Sequence, residues 1–148
     1  MILREFELEM LDECVDLSIR AYSGEPWNQV DDEHTRYASG VYLQNFYANS
    51  HFRGFVAYLD GRIVGLSVGF LKPYGADMNY FVDNFVICPD HQRQGVGSRF
   101  VALMKDELSK IGVTAMVLGT QRGYPAHRFY ESLGFKIFGD PITLVLEF

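Results

Sequence analysis

Asp83-Asn84-Phe85-Val86-Ile87-Cys88-Pro89-Asp90-His91-Gln92-Arg93-Gln94-Gly95-Val96-Gly97-Ser98-Arg99-Phe100 is the stretch around which the rest of the chain is arranged. Its first half continues an apolar run from Tyr80 to Cys88 that reads as a strand, and Pro89, which has no backbone N–H, ends it. After a short polar turn a helix opens at Gly95 and Gly97. Neither glycine carries a Cβ, so a ligand can come close to the backbone where first-turn N–H groups lack intrahelical acceptors and the helix dipole is positive. An anion belongs there, and a phosphate suits it best.

Outward from that loop, the order of residues says more than the glycines alone. Gln92-x-x-Gly95-x-Gly97, between a buried strand and an amphipathic helix, resembles the acetyl-CoA pyrophosphate loop of the GNAT family of N-acetyltransferases. Ala126-x-x-Phe129-Tyr130-Glu131-x-x-Gly134-Phe135 is similar to the C-terminal acceptor-side motif of the same family, and together the resemblance covers Tyr80 to Phe148. Rival phosphate loops fail on particular residues. A Walker loop needs Lys and then Ser or Thr after its last glycine, whereas Gly97 is followed by Ser98 and Arg99. A Rossmann fingerprint needs a third small residue where Phe100 stands, and an acidic residue at the end of the next strand, which reads Leu118-Gly119-Thr120.

At 148 residues the chain fits one domain spanning 1–148, with 48% apolar and 15% aromatic residues arguing for a folded core. No apolar run approaches the roughly 18 residues of a membrane span, and Met1-Ile2-Leu3-Arg4-Glu5 is not a secretion signal, so a cytoplasmic location is expected. Cys14 and Cys88 form no disulfide framework and read as buried structural thiols. His34, His51, His91 and His127 show no ligand spacing, so no metal is expected. A net charge of −6 disfavours a nucleic-acid surface and suits a cationic partner, while Arg93, Arg99 and Lys105 keep the glycine loop locally basic.

Patterning predicts a half-buried strand over Ile2–Leu8, a helix from Leu11 to about Ser23, and a second helix from Asp31-Asp32-Glu33 to about Asn49. Arg53–Tyr58 and Arg62–Leu71 read as a hairpin around Asp60-Gly61, with a bulge near Gly65 or Gly69 and a turn over Lys72–Gly75. A helix over Gly95–Ile111, a buried strand over Val113–Leu118, a short helix over Pro125–Leu133 and strands over Phe135–Phe138 and Ile142–Phe148 complete the series. By resemblance this order implies the α/β (α+β) GNAT fold. That fold is a mixed, mostly antiparallel sheet of about seven strands, splayed between strands 4 and 5 and flanked by about four helices.

The resemblance further implies a transferase, an acyltransferase that moves the acetyl group of acetyl-CoA to a primary amine of a small, cationic acceptor within a ternary complex. Phe85, Val86 and Ile87 would offer backbone groups to the thioester and pantetheine. Gln92, Arg93, Gln94, Gly95, Val96, Gly97 and Ser98 would hold the pyrophosphate. Tyr130 would protonate the departing sulfur, its reference pKa of about 10 lying near the thiol's 8.5; the alternative is a tyrosine packed beside Phe129 and Phe135. An amine is neutral only about one time in two thousand at pH 7, so a base helps, and Asp83 on the central strand is the candidate base or a structural hydrogen-bond acceptor. Glu25, Trp27 and Asp31 lie where related enzymes, resembling aminoglycoside 6'-N-acetyltransferases, build an acceptor pocket; Trp27 alternatively anchors the helix hairpin. The family asparagine three residues before Ala126 is Gly123 here, leaving Gln121 or Arg122 to replace it. No nucleic acid or membrane partner is expected, and a homodimer is open to it. A non-catalytic acyl-CoA sensor and a protein or peptide N-acetyltransferase are the alternatives.

Overall fold

The computed structural model describes residues 1–148. In chain order it contains β1 (Ile2–Glu5), α1 (Leu11–Ser23), α2 (Glu33–Tyr47), β2 (Phe52–Leu59), β3 (Arg62–Tyr74), β4 (Asp77–Ile87), α3 (Val96–Lys110), β5 (Val113–Leu118) and α4 (Pro125–Ser132), with single 3₁₀ turns at Leu8–Met10 and Pro89–His91. The strands form one sheet in the order β1-β2-β3-β4-β5. Neighbours from β1 to β4 pair antiparallel, and β4 pairs with β5 in parallel.

Local chemistry accounts for the boundaries. Asp32 caps α2 by accepting the Thr35 N–H at 2.7 Å. Asp60 and Gly61 both take left-handed φ values, 50° and 76°, the twist-compatible turn for a two-residue hairpin. The expected turn over Lys72–Gly75 is shorter than its composition suggests. β3 continues to Tyr74 opposite Asp77, and only Gly75 and Ala76 make the bend. Pro73 is accommodated inside that strand, opposite Met78.

Three irregularities interrupt the ladders: one between β4 and β5, where Thr114 is extra opposite the Met78/Asn79 step, and two close to the glycines that announced them. Val64 is extra opposite the Ala57/Tyr58 step, and Asp83 is extra where Val68 faces Asn84 and Gly69 faces Val82. A Cβ on Gly69 would stand 2.2 Å from the Phe81 carbonyl oxygen, so that position admits only glycine. The bulge at Asp83 also breaks the two-residue alternation that would have put Asp83 on one face with Phe85 and Ile87.

One core of 22 buried residues joins the inner face of α1 to the sheet and to α3. On α3 the buried residues are Val96, Phe100, Met104 and Leu108, a stripe at four-residue spacing. Phe100 is fully buried, stacks on Phe85 at 5.3 Å and fills the space a Cβ on Gly65 would need. Phe100→Ala is therefore expected to destabilise the fold by about 3–5 kcal/mol and to lower Tm by roughly 10 °C in calorimetry.

Three expectations are corrected. The sheet has five strands, not about seven. Phe135–Phe138 and Ile142–Phe148 form no strands, and beyond Phe135 no backbone hydrogen bond is made. A strand exists only with a partner for its N–H and C=O groups, and this chain brings none to that segment. As a result β5, read as buried, is an edge strand with Thr114, Ala115 and Val117 exposed.

Candidate active site

The site is an opening in the sheet. β4 and β5 stay paired only to Val82 and Leu118, so the β5-facing edge of β4 is unpartnered from Asp83 to Ile87. A cleft of about 460 Å³ occupies the gap, with Phe85, Val86 and Ile87 on one wall, the glycine loop at one end and Tyr130 across from them.

The loop is shaped to present N–H groups. Arg93 and Gly95 take left-handed φ values of 57° and 78°, and Gly95 then caps α3 without any side-chain acceptor. None of the N–H groups from Arg93 through Ser98 donates to an acceptor within the protein. Such a run of free donors at the N-terminus of a fifteen-residue helix is an anion cradle. Gln92 and Gln94 serve it from behind: Gln92 Nε2 donates to the Ile87 carbonyl at 3.0 Å and Gln94 Nε2 to the Asp90 carbonyl at 2.8 Å, bracing the loop on the end of β4.

Gly97 has a different reason for being glycine than an open approach. A Cβ there would lie 3.0 Å from the Phe129 ring, so the residue lets α4 close against α3. Arg93 lines the cleft, whereas Arg99 and Lys105 are exposed outside it.

Tyr130 enters on α4, which begins at Pro125 just after the left-handed Gly123. Its ring packs on Phe129 at 5.2 Å, Phe135 at 5.4 Å and Phe85 at 6.2 Å. Its hydroxyl has no hydrogen-bond partner within the protein, and burial, with the nearby Tyr22 adding, raises its pKa. The group thus remains a proton donor at neutral pH, but the near match to a thiol assumed from its reference value does not hold. At Gly123, the backbone N–H donates to His127 Nδ1 at 3.1 Å and the carbonyl accepts from Arg128 at 3.2 Å, so this turn is satisfied internally.

The acceptor-side residues divide. Glu25 and Trp27 line the cleft, and Trp27, 48% exposed, rests against Tyr22 at 5.7 Å and Tyr124 at 5.8 Å. Trp27 is therefore neither a buried anchor nor isolated. Asp31 lies outside the cleft, accepting from Arg36 Nε at 2.7 Å and Arg36 Nη2 at 3.1 Å. Asp83 is exposed, accepts from the Tyr42 hydroxyl at 2.5 Å and is not among the cleft-lining residues. Burial and that bond together push the Tyr42 pKa up.

Sequence reasoning missed Tyr22 and Tyr124, which complete the aromatic wall, and Asn84, which accepts the Tyr22 hydroxyl at 2.6 Å. Tyr22 ends the buried face of α1 and Tyr124 stands just before Pro125, but only folding shows that both meet Trp27.

Cys14 and Cys88 are both buried and free, as expected. Burial, with Glu13 adding, pushes the Cys14 thiol from 9.0 up to about 12. The folded chain holds this proton more tightly than the unfolded one, so its stabilising contribution is complete below about pH 9 and is lost as pH climbs to about 12. Urea unfolding should show stability falling across that range, less steeply in Cys14→Ala, and a thiol reagent should find no fast-reacting cysteine in the native protein.

A parallel strand pair that parts beside a helix start with free N–H groups, with an unpartnered phenol across the gap, defines an α/β protein whose sheet is split by an open cleft. The sequence profile of the Acetyltransferase (GNAT) family matches residues 11–135, and the chain belongs to that family. It is 29% identical over 89 residues to the L-2,4-diaminobutyric acid acetyltransferase of Nocardia farcinica (strain IFM 10152), a match covering 60% of this chain and 44% of that protein, so the chain spans under half the length of this relative. The fold is similar to that of a transcriptional regulator from Bacillus halodurans C-125, with TM-score 0.77, 19% identity and coverage of 98% and 99% of the two chains. It is also similar to the aminoglycoside antibiotic 6'-N-acetyltransferase AAC(6')-IG from Acinetobacter haemolyticus, with TM-score 0.75, 14% identity and coverage of 100% and 99%.

Proposed function

We propose that residues 1–148 act as one domain, an acetyl-CoA-dependent N-acetyltransferase whose acceptor is a primary amine on a small cationic molecule. The observation that carries this reading is the run of free N–H groups from Arg93 to Ser98 sharing one cleft with the unpartnered Tyr130 hydroxyl. The loop binds the pyrophosphate, Arg93 adding charge, and the open edge at Phe85–Ile87 takes the pantetheine as an added strand would be taken. The amine nitrogen attacks the thioester carbon, a C–N bond forms as the C–S bond breaks, and Tyr130 gives its proton to the departing sulfur. The proton shed by the amine leaves toward Asp83 through water, because Asp83 itself stands back from the cleft. The phenolate left on Tyr130 takes a proton back from solvent, a return its raised pKa favours, and because the amine attacks the thioester directly no covalent enzyme intermediate forms.

Glu25 and the Tyr22–Trp27–Tyr124 wall supply the acceptor side, a carboxylate beside aromatic faces, which suits an ammonium group. The diaminobutyrate and aminoglycoside acetyltransferases to which the chain is similar bear names in keeping with amine acceptors. Incubation of acetyl-CoA with a panel of diamines, polyamines, aminoglycosides, amino acids and peptides, followed by thiol release, tests the reading. Release with a cationic amine is expected. Tight acetyl-CoA binding with no release from any amine would make the chain a cofactor sensor instead.

Opposite charges near water are screened over about 8 Å at physiological ionic strength, so KM for the amine should rise with added salt. Glu25→Lys should raise that KM more than it lowers kcat. A neutral preferred acceptor with no salt response would remove the acidic-pocket assignment and leave the transfer chemistry standing.

A further inference from the structure

The cleft holds two phenols whose protons are differently placed. The Tyr130 hydroxyl has no partner within the protein, so its proton is free for a ligand. Tyr22, whose ring belongs to the aromatic wall, gives its proton to Asn84 Oδ1 at 2.6 Å. A hydroxyl carries one proton and two lone pairs, so a phenol with its proton committed can only accept from whatever enters the cleft. Burial raises the Tyr22 pKa against the pull of the Asn84 bond, and the phenol therefore keeps that proton at neutral pH.

The bulge in β4 sets this up. Adjacent residues of an unbroken strand point to opposite faces. Here Asp83, the extra residue, accepts from Tyr42 on α2, and Asn84 beside it accepts from Tyr22 on α1. α1 and α2 pack against each other, so two neighbouring positions of β4 serve one helix pair. Of the two phenols held in this way only Tyr22 lines the cleft, where it lies near enough to Tyr130 to help raise the pKa of that residue. A donor and an acceptor, both phenolic, thus belong to the same cleft.

We propose that the Tyr22 oxygen orients the attacking amine, accepting one of its N–H groups so that the nitrogen lone pair turns toward the thioester carbon, and that Asn84 is the positioning residue that keeps Tyr22 an acceptor. The inference rests on the acetyl-transfer reading above. Released from Asn84, the Tyr22 hydroxyl would be free to donate to the amine lone pair and mask the nucleophile. A primary ammonium has three N–H groups, so it sheds one to water and still donates to Tyr22.

The test uses the full chain, acetyl-CoA and the amine of the panel that releases thiol fastest. Tyr22→Phe should lower kcat roughly 10-fold to 100-fold, as misplacement of a reacting atom does. It should leave acetyl-CoA Kd, and amine Kd by calorimetry with CoA present, within about 3-fold, since the ring stays. Trp27, the one tryptophan, packs on that ring at 5.7 Å, and unchanged emission shows the wall intact. Asn84→Asp keeps an acceptor and should hold kcat within about 3-fold, whereas the isosteric Asn84→Leu should lose as much as Tyr22→Phe. Tyr22→Phe combined with Asn84→Leu should be no worse than either alone, because Asn84 acts through Tyr22. If one variant fails to fold, the variants at the other position still decide. Full kcat in Tyr22→Phe, with the chemical step limiting, overturns the inference and leaves acetyl transfer standing. So does an Asn84→Asp loss equal to that of Asn84→Leu, or losses that multiply in the double variant. No thiol release from any amine overturns acetyl transfer and this inference together.

Discussion

Tyr130→Phe should leave acetyl-CoA affinity unchanged and lower kcat by roughly 10²-fold or more, the usual worth of a positioned general acid. The substitution removes one hydroxyl that has no hydrogen-bond partner within the protein, so it leaves no buried group unsatisfied, and the packing on Phe85, Phe129 and Phe135 survives. Native thermal stability with low kcat separates chemistry from folding. Because burial raises this phenol, the activity should show no loss from tyrosine ionisation up to about pH 10, its reference value. Full kcat in Tyr130→Phe, with the chemical step shown to limit the rate, would leave the residue as packing alone.

Gly95→Asp should weaken acetyl-CoA binding by about 3 kcal/mol or more, roughly a 10²-fold rise in Kd by calorimetry. The new carboxylate would stand among the free N–H groups proposed to hold the pyrophosphate, competing for them and repelling the ligand. A Cβ at Gly95 meets nothing within 4 Å, so the cost to folding is limited to the left-handed φ of 78°. Asparagine has nearly the same shape, tolerates that backbone and carries no charge. Gly95→Asn should therefore recover much of the affinity, and equal losses in both variants would show that backbone strain, not charge, is responsible.

The β-hairpin at Asp60-Gly61, the break at Pro89, α3 from Val96 and the bounds of β5 were all legible, because each rests on residues within a turn or two of one another. The glycine loop was legible for the same reason, since a strand, two glycines and a helix start are local. The reason for Gly97 was not, because Phe129 meets it only once α4 has packed on α3. Asp83 shows the limit most clearly. Alternation along β4 pointed it toward the cleft, and one extra residue in the ladder opposite Val68 and Gly69 set it apart, to be bound by Tyr42 from α2.

By itself the sequence determined the elements from β1 to α4 and their order, but not the two last strands it also led one to expect, and it marked the glycine loop and Tyr130 through short-range preference and spacing. Only the tertiary structure decided that Tyr22, Trp27 and Tyr124 make one wall, that Arg36 rather than a ligand takes Asp31, and that the last apolar strand has no partner within its own chain. Hydrophobic alternation states that a segment will be a strand; which edge receives it depends on where long-range packing leaves N–H and C=O groups unpaired.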